Sequence, residues 1–119
     1  MENSTEVFLE EVWENQQSLP LRGFGKPTQF SEWCLFSDRH GTTKYSNSAF
    51  PDVQIPDGWE WAENSTWQVD VSWTTTDPEG WVYCSSLNAF QRDNSISAAP
   101  GKGQSARRRR WVRPRRAAT

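Results

Sequence analysis

Seven arginines fall within ten residues at positions 107–116, broken only by Trp111, Val112 and Pro114, and this block limits the possible folds more than any other feature. Pro114 blocks a helix but is tolerated near the end of an edge strand. Laid out as a strand over 105–116, Arg107, Arg109, Trp111, Arg113 and Arg115 point one way. Arg108, Arg110, Val112, Pro114 and Arg116 point the other. So dense a charge folds only against a partner that offers carboxylates and aromatic faces. Residues 6–15 offer Glu6, Glu10, Glu11 and Glu14 together with Trp13. Antiparallel pairing of the two termini would set opposite charges across the ladder, worth about 0.2–1 kcal/mol for each cross-strand pair.

The charge balance fits such a pairing. Residues 1–101 carry fifteen acids and five bases, and residues 102–119 carry eight bases and no acid, for a net charge of -2. A basic block of this kind either recruits an outside polyanion or neutralises the chain's own acids. With 119 residues the chain has the length of one domain, and with 34% hydrophobic residues its aliphatic core is thin. Eight tryptophans enlarge it, each burying about 150–250 Å², so a core built mainly from indole is expected. No apolar run approaches the ~20 residues that span a bilayer, and the acidic start lacks the h-region of a signal peptide. Reduced thiols at Cys34 and Cys84 and a cytoplasmic setting are therefore expected.

Prolines at 20, 27, 51, 56, 78, 100 and 114 and the lack of any 3.6-residue periodicity argue against helices. Period two is clearer. Trp67, Val69, Val71 and Trp73 alternate with Gln68, Asp70 and Ser72, and a turn at 76–80 leads into a second apolar run, which predicts a hairpin over 66–86. Residues 6–15 read as a strand with Val7, Leu9 and Trp13 on one side and Phe8 and Val12 on the other, although so Glu-rich a segment could also start a helix. A short strand is expected at 42–46, a short ordered piece at 87–90, and a flexible loop at 93–106.

The inventory for catalysis is poor, and neither an enzyme nor a bound cofactor is expected. The single histidine, His40, sits in a turn beside Asp38 and Arg39. Cys34, His40 and Cys84 make no four-ligand zinc set, and no C-x-x-C spacing occurs. Gly23-x-Gly25 is a turn with no following helix, not a phosphate-cradling loop. Catalytic and metal residues: none.

Several motifs in succession resemble the DysF domain of ferlins, yeast-type peroxins and tectonin-repeat autophagy proteins. They are Val12-Trp13-Glu14-Asn15-Gln16, the turn from Ser37-Asp38 to Gly41, Pro56-Asp57-Gly58-Trp59-Glu60-Trp61, Trp67-Gln68-Val69-Asp70, Asp77-Pro78-Glu79-Gly80-Trp81-Val82-Tyr83 and the RRRRWVR run at 107–113. The likeness covers 6–116, with an N-terminal half at 6–62 and a C-terminal half at 66–116. It departs at Gln17-Ser18, where the family often has arginine, and in the loop at 27–33. The resemblance implies an all-β, sandwich-type fold of long antiparallel strands in which Trp13, Trp59, Trp61, Trp81 and Trp111 stack with Arg107, Arg108, Arg109, Arg110 and Arg113. A guanidinium over an indole face contributes about 0.5–2 kcal/mol.

It also implies a non-catalytic module on the cytosolic face of an organelle or plasma membrane, with membrane lipids as partners, an anionic phospholipid or sphingomyelin among them. The loop at 22–33 interleaves Phe24, Phe30 and Trp33 with Arg22 and Lys26, so rings could enter the interface while cations meet headgroups at about 1 kcal/mol each. The competing reading has Phe24, Phe30 and Trp33 plugging the core. Two other functions stand beside lipid recognition: an architectural spacer or protein-interaction domain in a larger protein, and nucleic-acid binding by the basic tail. Strand alternation and the acidic body disfavour the last, so no nucleic-acid partner is expected.

Overall fold

The structure, a computed structural model, describes residues 6–91, 96–101 and 103–118. Its elements are β1 (Val7–Leu19), β2 (Gly23–Gly25), β3 (Phe36–Ser37), β4 (Lys44–Ser46), β5 (Trp59–Trp61), β6 (Gln68–Asp70), β7 (Val82–Cys84), a 3₁₀ turn (Asn88–Gln91) and β8 (Ala106–Ala117). The fold is all-β, and every strand pair is antiparallel. The eight strands form one curled sheet in place of the two stacked sheets of a sandwich.

The two long strands, β1 and β8, pair along eleven positions, from Val7 opposite Arg116 to Gln17 opposite Ala106. Twelve extended residues span about 40 Å, and the molecule is drawn out to 57 × 28 × 25 Å. The pairing of the termini and the facing of β1 and β8 are as the alternation predicts, with β1 running four residues beyond the predicted segment. The short strand at 42–46 is present as β4, and the ordered piece at 87–90 as the 3₁₀ turn.

The hairpin over 66–86 does not form. The turn is there, with Asp77 accepting hydrogen bonds from the amides of Gly80, Glu79 and Trp81, yet β6 and β7 do not pair with each other. Both lie end to end on the outer edge of β8, at 110–112 and 106–108, with β5 continuing the row at 115–117. A twelve-residue strand offers more unpaired backbone than two three-residue strands can offer each other, so pairing with it satisfies more donors and acceptors. Gly80 permits the turn: its φ is +88°, and a Cβ there would collide with Val69.

The centre is not mainly indole, as composition led us to expect. Among the described residues the largest fully buried side chains are Leu87, Val12, Val82, Asn15, Pro27, Cys84 and Ser37. Trp13, Trp33 and Trp81 are also buried, while Trp59, Trp61, Trp67, Trp73 and Trp111 are half-buried. The indoles form a shell around a small centre, and a half-buried ring is one that a guanidinium can still cover. Cys34 and Cys84 are unbridged. Part of the predicted flexible loop lies outside the described residues; of the rest, Ser97 bridges Tyr83 through two backbone hydrogen bonds, and Ala106 is the buried first residue of β8. Among the described residues no helix is long and apolar enough to cross a membrane.

Candidate functional site

The alternation of β8 assigns its arginines to two faces. On the odd face, Arg107 lies 3.9 Å from the Trp81 ring and 4.6 Å from Phe24, while its Nε donates to Gln16 at 2.8 Å. Arg109 also lies over Trp81, at 4.2 Å, and pairs with Glu14 at 2.8 Å; the Trp111 indole donates to the same carboxylate. Arg113 sits 4.4 Å from Trp61, and Arg115 sits 4.2 Å from Trp59 and pairs with Glu10. Arg115 was not among the stacking residues taken from the sequence, although the strand alternation that aligned Arg107, Arg109 and Arg113 includes it.

On the even face Arg110 makes no ring contact among the described residues. It bridges Glu11 at 2.7 Å and Asp70 at 2.6 Å. Burial pushes the Glu11 carboxyl up, but hydrogen bonds from Arg39 and Arg110 outweigh it and hold the group at about 2. Arg108 is 4% exposed and lies over Trp13 at 4.5 Å and Trp33 at 5.2 Å. Its partners are neutral: the Asn15 side-chain oxygen at 2.6 Å and the Asp38 and Arg39 carbonyls. Burial in this setting pulls its guanidinium down to about 9, against the opposing pull of Glu11.

The loop at 22–33 does not act as one surface. Trp33, 8% exposed, joins Leu87 and Ala106 in the core and donates its indole N–H to Asn88 at 2.7 Å. Gly41, at φ +75°, lets the ring lie so close that a Cβ would approach it to 2.6 Å. Phe24 packs against Tyr83 and beneath Arg107. Both rings therefore face inward, as the competing reading required, and Trp33 is corrected from a membrane-facing residue to a core residue. Arg22, Lys26 and Phe30 are exposed, Phe30 to 87%. Leu21, which sequence reasoning missed, is fully exposed at 107% in the turn joining β1 to β2, with a left-handed φ of 63°. Its signal lay in the chain all along: an aliphatic residue between Pro20 and Arg22, in a turn that ends on Gly23.

Among the described residues no group of three or more His, Cys, Asp or Glu side chains could hold a metal ion. His40 Nδ1 lies 2.9 Å from Gln91 Oε1.

The sequence matches the profile of a family described as Pex24p, integral peroxisomal membrane peroxin, over residues 2–113. It is 32% identical over 114 residues to tectonin beta-propeller repeat-containing protein 1 of Homo sapiens, a match covering 90% of this chain and 9% of that protein. The Gallus gallus counterpart is 30% identical, covering 92% of this chain and 9% of its own length. Tectonin beta-propeller repeat-containing protein of Drosophila melanogaster is 26% identical, covering 90% and 7%. The chain thus spans less than a tenth of these relatives.

Proposed function

The chain belongs to the Pex24p family of DysF-type domains, and from that premise we propose that it is a non-catalytic module that rests on a membrane surface and meets lipid headgroups through the far end of β1. The observation that carries this reading is Leu21, fully exposed on a left-handed backbone. An L-residue there costs about 1–2 kcal/mol relative to glycine, and strain of this kind persists where the residue is needed. Arg22 flanks it, and Lys26 and the exposed ring of Phe30 follow in the same loop. This is the composition of an interfacial anchor, apolar tips that enter the headgroup layer and cations that meet anionic lipid.

Liposome sedimentation with an anionic phospholipid and with sphingomyelin tests it. Leu21→Ser with Phe30→Ser should abolish sedimentation while thermal melting stays unchanged, and Lys26→Glu should weaken only the anionic vesicles. Equal sedimentation by parent and double variant would remove this loop from any membrane role.

A second reading is favoured by Val7, Phe8 and Leu9 at the opposite end of β1, exposed to 56%, 47% and 53%. An apolar strip on a strand suits contact with a neighbouring part of a longer protein. Under that reading the parent ignores every vesicle.

A further inference from the structure

A cavity of about 310 Å³ opens on the even face of β8, lined by Trp13, Trp73 and Phe90 together with Arg39, His40 and Arg108. Two guanidinia converge there on a single ring: Arg108 lies 4.5 Å and Arg39 5.5 Å from Trp13. Arg39 directs Nε and one terminal nitrogen at Glu11, and Arg108 spends Nε and one terminal nitrogen on neutral acceptors. The remaining terminal nitrogen of each makes no hydrogen bond among the described residues. Among the described residues the wall contains no carboxylate. Glu11 and Asp38 lie behind it at Coulombic range, and the Trp13 indole N–H leans toward Glu11 without reaching hydrogen-bond geometry. His40 faces the Gln91 oxygen through Nδ1, and Gln91 in turn donates to the Arg39 carbonyl, which fixes the His40 proton on Nδ1 and leaves Nε2 uncommitted.

In a body whose first 101 residues carry a threefold excess of acid, a concave wall whose described residues bring two guanidinia and three aromatic rings together favours one kind of guest. A cation is disfavoured, because two guanidinia already line the wall and Arg108 covers the Trp13 and Phe90 rings. A bare hydrophobe would leave the spare guanidinium donors without an acceptor. We propose that this cavity binds a phosphate group carried on an apolar body, the oxyanion meeting Arg39 and Arg108 and the apolar part lying against Trp73 and Phe90. Phosphate suits the donors because its oxygens can accept from both guanidinia at once. The site is separate from the loop at 21–30 and does not depend on what that loop binds.

The probe is phenyl phosphate, titrated into the whole chain while the indole N–H signals are followed by NMR. Saturable shifts in the Trp13 and Trp73 signals are expected, with inorganic phosphate weaker and phenol without effect. Arg39→Gln should weaken phenyl phosphate about tenfold, the loss expected for one charged hydrogen bond, and His40→Ala should weaken it less. Arg116→Gln, which removes the same charge at the other end of β8, should change nothing, and each variant's melting without ligand reports whether it is folded. Release of phenyl phosphate by phosphatidylserine vesicles would place the phosphate on a lipid, and retention would place it on a soluble molecule; either outcome keeps the site. Shifts absent at saturating probe, or equal losses in Arg39→Gln and Arg116→Gln, would overturn it.

Discussion

Along β8 and around residues 21–33 the chain uses the same two kinds of side chain, rings and cations, in opposite ways. On β8 each ring meets a guanidinium: Trp81 is covered by both Arg107 and Arg109, Trp61 by Arg113, and Trp59 by Arg115. In the loop the rings and cations part company. Trp33 and Phe24 turn inward, and Leu21, Arg22, Lys26 and Phe30 turn out. Both regions mix rings with cations, though β8 is far richer in arginine; what decides their placement is a strand partner. The eleven-position pairing with β1 fixes where each arginine lies relative to an acid and a ring, and the loop has no such frame beyond the three positions at which β2 meets β1.

The largest expected effect breaks the framed side of this contrast. Trp13→Ala removes a buried ring that covers Arg108, and should cost about 3–5 kcal/mol in urea denaturation. Trp111→Ala, at a half-buried ring, should cost less. A Trp13 variant as stable as the parent would mean that the stacked rings are ornament on a scaffold held by something else.

An intermediate effect is expected at Glu11. Its carboxyl is held at about 2 in the folded chain against 4.5 when unfolded, so the stability it contributes is present above the unfolded value and lost as pH falls through the folded one. Glu11→Gln should flatten the decline in stability between pH 4.5 and 2, read from denaturation midpoints. An unchanged acid limb would show that Arg110 and Arg39 do not depend on this carboxylate.

The smallest effect sharpens the other side. Leu21→Gly relieves the left-handed strain and should leave stability within about 1 kcal/mol of the parent, on the stabilising side, while vesicle binding falls. A destabilised glycine variant would show that Leu21 packs against the fold and is not presented outward.

Much of this was legible in the chain itself. The spacing of arginines around Trp111 and Pro114 determined a strand, the acids around Trp13 determined its partner, and strict alternation determined which arginines share a face, because a strand's side chains have a fixed period of two. Tertiary structure decided the rest. Local pattern predicted a hairpin at 66–86, but β8 offered both strands a longer edge, and an edge supplied by residues 22–44 positions away leaves no local trace. The loop at 22–33 shows the same limit: whether an aromatic ring turns toward solvent or core depends on the space left by Leu87, Asn88 and Gly41. Sequence period sets direction along a strand, but burial is set by what the rest of the chain brings to that place.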